Sequence, residues 1–152
     1  MRRTEREIKS RAEIDAILKR APVVRLAMVD GGEPYVVPLN FGYDGASLVC
    51  HSAVAGRKIE VLRRNPRVCF EVTVDETVVT GSIGCKSSAE YRCVIGYGTV
   101  RFIEGREEKI RALDTLMGKF APGPFSYADE QLAKTTVFAV DIESVSGKKA
   151  GY

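Results

Sequence analysis

One histidine and two cations lie within eight residues of one another near the middle of the chain. His51 and Ser52 end a predicted strand, a turn of small residues follows, and Arg57 and Lys58 begin a predicted helix. Cations are unfavourable at a helix N-terminus, because the helix dipole is positive there. They become favourable when an anion binds the free N–H groups of the first turn and the two side chains close over it. The segment therefore predicts an anion site that suits a phosphate group.

A basic helix face exposed to solvent is the second interpretation of this segment. Arg63, Arg64 and Arg67 continue the positive charge along the chain, and spacing alone does not separate the two interpretations. The formal net charge of the whole chain is +3, which is too small to indicate a nucleic-acid partner. A local cluster of this size suits one phosphate better than a polyanion.

The sequence contains a single histidine, His51, so any catalytic triad would have to include it. No G-x-S-x-G elbow or comparable nucleophile motif accompanies it, which disfavours a hydrolase. Carboxylates and cysteines do not stand at metal-ligand spacing around it, and we predict no metal site. A hydrogen-bonding histidine at a strand end is the alternative to a functional one.

The four cysteines are predicted to be free thiols. No C-x-x-C pair occurs, and no export signal is recognisable, which indicates a reducing, cytoplasmic location. Cys50 and Cys69 fall in predicted strands and suit a core. The longest apolar runs are five or six residues, and a membrane-spanning helix needs about 20, so no membrane partner is expected.

Two further segments have the composition of a ligand border. Residues 35–41 contain Pro38 within a strand, which removes one ladder hydrogen bond and frees backbone groups for a flat heterocycle. An edge strand protected by its proline is the equal alternative. Residues 85–92 combine a lysine, serines and a tyrosine in a polar loop, which suits the rim of a site or plain solvent.

Hydrophobic periodicity places these segments on short antiparallel strands with segregated helices. The 152 residues are predicted to form one domain over 1–152. No regular β-α-β alternation occurs, which indicates a small β-barrel rather than a parallel sheet. Gly96 and Gly98 predict a bulge or a close backbone approach. The predicted elements are an N-terminal helix within 1–22, strands over 23–29, 35–43, 47–52, 68–74, 77–83, 92–103 and 137–145, helices over 57–64 and 106–117, and a basic tail over 147–152.

Four groups of residues, taken in this order, resemble the nitroimidazole-resistance (Nim) proteins of the pyridoxamine 5′-phosphate oxidase-like, FMN-binding split-barrel superfamily. The resemblance covers residues 2–149. It implies a mainly β fold with some α, a six-stranded antiparallel split β-barrel with flanking helices. It also implies a homodimer with FMN in each of two clefts at the subunit interface. The residues that carry it are Pro34 to Tyr43, His51-Ser52-Ala53 with Gly56-Arg57-Lys58, Asn65-Pro66 with Val68 to Glu71, and Tyr91-Arg92 with Val94 to Gly98.

The resemblance also implies roles for individual residues. Arg57 and Lys58 match the pair that holds the FMN phosphate, in agreement with the anion site predicted from the helix start. His51 and Ser52 match residues near the ring and the phosphate, with His51 on the substrate side as the catalytic residue. The remaining cofactor-binding residues are Val37, Pro38, Leu39 and Asn40, whose backbone borders the isoalloxazine ring, and Ser88 and Tyr91, which reach the site from the partner chain.

The implied activity is a flavin-dependent reduction of a small aromatic or nitroaromatic substrate, in two-electron steps that take a nitro group to an amine. A flavin-binding protein without turnover is an alternative, because no G-x-G-x-x-G nicotinamide fingerprint follows a strand. A haem-binding split barrel with His51 as axial ligand is another. Oxidation of pyridoxamine 5′-phosphate is not expected, because no C-terminal arginine and histidine match the substrate-phosphate residues of true oxidases.

Overall fold

Seven strands and four helices make up the structure, a computed structural model that describes residues 2–152. The order of elements along the chain agrees with the predicted one, except that a two-residue strand precedes the first long helix and a short helix precedes the last strand. The bounds are β1 (Glu7–Ile8), α1 (Arg11–Arg20), β2 (Val23–Asp30), β3 (Glu33–Tyr43), β4 (Ser47–Ala53), α2 (Arg57–Arg64), β5 (Arg67–Val79), β6 (Ser88–Ile103), α3 (Arg106–Met117), α4 (Asp129–Ala133) and β7 (Thr135–Ala150).

Six of the strands close into an antiparallel barrel. Neighbouring strands follow the order β7-β4-β3-β2-β5-β6, and pairing of β6 with β7 completes the ring. The two-residue strand β1 adds to the outer edge of β7. The predicted mainly β barrel with flanking helices is therefore confirmed.

Alternating apolar residues fill the barrel. Val68, Phe70 and Val72 of β5 are buried, in the period of two that the sequence shows. Helix α1 covers one end of the barrel with Ile17 and Leu18, both nearly inaccessible to solvent. This apolar burial is the main force that holds the helices to the strands.

The two ends of the chain differ from the prediction. Helix α1 begins at Arg11, after Ser10 accepts a hydrogen bond from the Glu13 N–H at 3.4 Å, and residues 4–6 form a separate 3-10 turn. The helix predicted within 1–22 is thus limited to 11–20, and Met1 lies outside the described residues. Residues 147–150 are not a tail but the last part of β7, because they pair with β1 on one side and β6 on the other.

The hairpin between β5 and β6 is longer than predicted. The strand predicted at 68–74 and the first part of the strand predicted at 77–83 form the single strand β5, which has a register shift at Asp75, a residue with a φ of 57°. Residues 80–83 do not belong to a strand, and residues 80–87 connect β5 to β6 with a short 3-10 turn over Gly84–Lys86. The prediction for Gly98 is confirmed, because the register of β6 against β7 shifts between Tyr97 and Gly98.

Helix α3 lies directly on the backbone of β3 at Gly42. A Cβ atom built on Gly42 would meet the backbone of Thr115 and Leu116 at 2.7 Å. This close approach fixes α3 against β3 and β4, immediately beside the point where these two strands separate.

We expect Gly42→Ala to destabilise the protein by about 1–3 kcal/mol, because the methyl group forces α3 away from the strand. Urea unfolding followed by circular dichroism measures the change. Gly84→Ala is the matched control, since its Cβ would meet no atom within 4 Å, and a change within about 0.5 kcal/mol is expected. Equal stability of the two variants would contradict the close packing at Gly42.

Candidate functional site

The barrel opens between β3 and β4. These strands pair only at Phe41 with Cys50, Gly42 with Val49 and Tyr43 with Leu48. Beyond Phe41, residues 33–40 of β3 pair with β2, while residues 51–53 of β4 pair with β7. On the side facing β4, the backbone of 33–40 therefore has no strand partner within residues 2–152, and this gap between the two strands is the candidate cleft.

Helix α2 starts at the mouth of this cleft. Strand β4 ends at Ala53, and Gly56 precedes the helix with φ 126° and ψ 163°, a conformation that favours glycine. The Gly56 carbonyl accepts the N–H groups of Ile59 and Glu60. The N–H groups of Arg57 and Lys58 precede these bonds and have no place in the helical pattern, so they can donate to an anion.

Arg57 has two neighbours that fix its guanidinium group. Its Nε atom donates to Asp30 Oδ2 at 2.9 Å, and its Cζ atom lies 4.3 Å from the centroid of the Tyr35 ring. Arg64 also donates to Asp30, at 2.7 Å. Hydrogen bonds from Arg57, and then from Arg64, lower the pKa of the Asp30 carboxyl, which is therefore ionised at neutral pH.

Lys58 is half-buried and close to Cys50, the residue that ends the β3–β4 ladder. Burial raises the pKa of the Cys50 thiol to about 12, and the positive charges of Lys58 and Lys119 oppose this rise. Cys50 is thus a neutral thiol inside the core, in agreement with the prediction for this cysteine.

Lys119 is a third cation near the end of the β3–β4 ladder, and no sequence pattern indicates it. Its Nζ atom lies 3.3 Å from the centroid of the Phe41 ring and donates to the Leu18 carbonyl at 3.0 Å. Burial lowers its pKa to about 8. Lys119 follows α3 and is 69 positions from Cys50 in the sequence, so no local pattern connects it with the cleft.

His51 and Ser52 lie where β4 leaves β3. His51 is exposed and pairs with Val137 of β7, while Ser52 is half-buried and pairs with Thr136. Across the cleft, the side-chain amide of Asn40 donates to the Pro22 carbonyl at 3.1 Å. His51 and Ser52 therefore lie on the β4 side of the cleft, whereas Arg57 at the start of α2 contacts Tyr35 on the β3 side.

The four residues predicted on β3 form the opposite side. Val37 and Leu39 are half-buried and pack against the core, while Pro38 and Asn40 are exposed. The unpaired edge of the strand, rather than any one of these side chains, faces the cleft. This arrangement fits the predicted backbone border.

Ser88 and Tyr91 are not brought to this cleft within one chain. Tyr91 pairs with Ala150 at one end of the β6–β7 ladder, whereas His51 lies beside Val137 at the other end. Thirteen residues separate Val137 from Ala150, which corresponds to roughly 40 Å along a strand at the usual rise. Within one chain Ser88 and Tyr91 therefore lie far from the cleft, and their approach from a partner chain stays a prediction.

Two further structural observations concern residues 2–152 alone. None of their helices is both long and apolar enough to span a membrane. No cluster of three or more histidine, cysteine, aspartate or glutamate side chains within them has the arrangement of a metal site.

The comparison with known protein families decides the identity of the fold. The sequence model described as pyridoxamine 5′-phosphate oxidase matches residues 10–149. The chain belongs to the pyridoxamine 5′-phosphate oxidase family. The superfamily resemblance identified in the sequence is thereby confirmed.

Two solved structures and one further protein are similar to this chain over more than nine-tenths of its length. A structure described as a candidate 5-nitroimidazole antibiotic resistance protein from Bacteroides thetaiotaomicron is 35% identical, covers 94% of this chain and 86% of its own, and has a TM-score of 0.85. An FAD and heme binding protein from Mycobacterium smegmatis is 27% identical, with coverages of 97% and 74% and a TM-score of 0.87. An uncharacterised protein of Rhizobium meliloti (strain 1021) is 23% identical over 153 residues, 94% of each chain.

Proposed function

We propose that this family member binds FMN in the β3–β4 cleft and uses it to reduce small aromatic or nitroaromatic compounds. The observation that carries the proposal is the start of α2, where two cations and free N–H groups stand beside an unpaired strand edge. A flavin mononucleotide has a phosphate and a flat heterocycle with hydrogen-bonding edges, which match these two features. The similar FAD and heme binding protein supports a flavin, and the similar nitroimidazole resistance protein supports a nitroaromatic substrate.

In this proposal each side of the cleft has its own task. Arg57 and Lys58 bind the phosphate together with the first N–H groups of α2. The backbone N–H and C=O groups of residues 37–40 bind the edge of the ring and fix its orientation. FMN supplies two-electron transfer when bound, and the protein contributes position and shielding from water.

His51 is proposed as the proton donor to the substrate. Its exposed imidazole stands at the end of β4, beside the space that the ring would fill. Reduction of a nitro group to an amine takes six electrons and six protons and releases two water molecules, in three two-electron steps supplied by an external reductant. A histidine suits this task because imidazole is the side chain that most often transfers protons in general acid–base catalysis.

In this proposal, pyridoxamine 5′-phosphate, the compound in the family's name, is not the substrate. His51 is the single histidine of the chain. It therefore cannot both serve the cleft and hold the phosphate of pyridoxamine 5′-phosphate. Oxidation of that vitamer is not part of the proposed function.

The proposed site also requires a homodimer. On the outer face of the barrel, Val36, Ala27, Cys69 and Tyr97 lie in one cross-strand row over β3, β2, β5 and β6. Val36 is 60% exposed, Tyr97 is 48% exposed and the neighbouring Ile95 is 42% exposed. An apolar row of this kind favours a protein partner. A second copy seated on it would also supply Ser88 and Tyr91, which one chain holds far from its own cleft.

Haem binding is the second candidate function. The FAD and heme binding protein at 27% identity favours it, and the exposed imidazole of His51 is available as an axial ligand. Haem binding would require His51 as the axial ligand. FMN binding through Arg57 and Lys58 would not require His51.

Arg57→Ala combined with Lys58→Ala is expected to give a colourless protein, because the phosphate loses both cations. FMN affinity should fall at least about 100-fold, as expected for two charge-assisted hydrogen bonds. Absorption spectra and chromatography of heat-released flavin, which also separates FMN from FAD, measure the loss. The control is Arg106→Ala with Arg111→Ala, which removes the same charge from the exposed face of α3. Flavin retained in the first variant would contradict the proposed grip.

His51→Gln should keep the flavin but slow nitro reduction, because glutamine cannot supply a proton. A loss of about 100-fold is expected from the removal of a general acid. Anaerobic single-turnover absorption, with chemically reduced protein and a 5-nitroimidazole, gives the rate of flavin reoxidation. An unchanged rate would exclude His51 as the donor, and a wild type that is never reoxidised would indicate a flavin binder without turnover. A Soret band that disappears in this variant would instead support the haem function.

Tyr97→Asp is expected to convert a dimer into a monomer, since it places a charge at the exposed β6 end of the apolar row. Size-exclusion chromatography with light scattering at micromolar concentration measures the mass. Phe120→Asp is the control, because Phe120 is 46% exposed but lies outside this face. A monomeric wild type, or a dimer that survives Tyr97→Asp, would contradict the proposed interface.

A further inference from the structure

Asp30 and Tyr35 lie outside the set of site residues that the sequence and the family resemblance suggest. Both belong to the β2–β3 hairpin, on either side of the turn at Gly31 and Gly32, where φ is 62° and 96°. Both contact Arg57, which belongs to a different element, α2. We propose that Asp30 and Tyr35 are positioning residues that aim the Arg57 guanidinium at the flavin phosphate. This inference rests on the proposed function.

The guanidinium group of Arg57 uses only part of its hydrogen-bonding capacity within residues 2–152. Asp30 accepts from Nε, and the Tyr35 ring supports one face of the plane. The two terminal nitrogens of Arg57 donate no hydrogen bond within residues 2–152, and the side chain remains 58% exposed. An arginine bound in this way presents its Nη groups in a fixed orientation, which suits bidentate contact with a phosphate.

The second argument is the local charge. Asp30 pairs with Arg57 and also with Arg64, which stands seven residues further along α2 and so on nearly the same helix face. One carboxylate and two guanidinium groups leave a net charge of +1. The carboxylate therefore orients Arg57 without cancelling the positive charge that attracts a phosphate.

The third argument is the cost of ordering a long side chain. An unsupported arginine at an exposed helix start samples many rotamers, and binding must restrict them. Contacts that restrict the side chain before the ligand arrives improve affinity by removing this cost. The contacts of Asp30 and Tyr35 with Arg57 thus strengthen phosphate binding, although neither residue contacts the ligand.

Asp30→Asn separates positioning from simple electrostatics, because the two effects have opposite signs. Removal of a negative charge alone would tighten the binding of an anion. A positioning role predicts the reverse, an FMN affinity about tenfold weaker, with riboflavin affinity unchanged because riboflavin lacks the phosphate. Quenching of flavin fluorescence on the full-length, flavin-free chain gives both dissociation constants.

A double-mutant cycle with Arg57→Ala provides the readout that a purely structural role would not change. Asp30→Asn should no longer weaken FMN binding in the Arg57→Ala background, where only the loss of its negative charge remains. Tyr35→Leu should weaken FMN binding in the wild-type background only, and Tyr35→Phe, which keeps the ring face, should restore it. The Tyr35 variants keep the test decisive if Asp30→Asn does not fold.

The outcomes distinguish this inference from the proposed function. A wild type that binds riboflavin as tightly as FMN would overturn the phosphate grip and the inference together. A clear preference for FMN that Arg57→Ala removes but Asp30→Asn leaves intact or strengthens would overturn only the positioning role. An equal loss from Asp30→Asn in both backgrounds would also overturn it, since the residue would then act through folding.

Discussion

The ladder between β3 and β4 stops after three residue pairs, and the candidate site exists because of this early stop. Backbone N–H and C=O groups need partners, and a strand edge left open must find them in water, in a ligand or in another chain. On one side of the gap β3 stays attached to β2, and on the other β4 stays attached to β7. Each strand that borders the gap is therefore held in place by a neighbouring strand, and a flat ligand between them would have a fixed orientation.

The two cations at the start of α2 lie where the electrostatic field of the helix dipole is unfavourable for them. Arg57 and Lys58 stand at the positive end of a helix dipole, where cations are unfavourable without an anion. Part of the compensation is internal, since Asp30 accepts from Arg57 and Arg64. The remainder is left for a ligand, and this imbalance is the physical reason to regard the helix start as a binding site rather than a solvated face.

Local signals in the sequence predicted the elements that border the cleft. Helix α2 has the predicted bounds because Gly56 precedes it and Asn65-Pro66 ends it. Features that depend on distant partners were not predictable in this way. Residues 147–150 have the composition of a tail and become a strand only through pairing with β1 and β6. Lys119 likewise reaches Phe41 only in the folded chain, and no spacing announces it.

The site residues also differ in whether a local sequence pattern or a distant partner determines their position. The short-range constellation of His51, Ser52, Arg57 and Lys58 follows from one strand, one turn and one helix that are consecutive in the chain, and the structure contains these elements in that order. Ser88 and Tyr91 entered through family resemblance alone, because their position beside a flavin depends on a contact between two chains. The role of Asp30 was hidden for a related reason, since its partner Arg57 is 27 residues away on another element.

Strand β7 gives the order in which the protein can be assembled during synthesis. It is the last barrel strand along the chain, and it pairs with β1, β4 and β6. Until the ribosome has released it, β4 and β6 each keep an open edge, and the nascent chain holds an incomplete barrel. The side of the cleft that carries His51 is attached to β7, so a binding-competent site can form only after β7 has emerged and paired with β4.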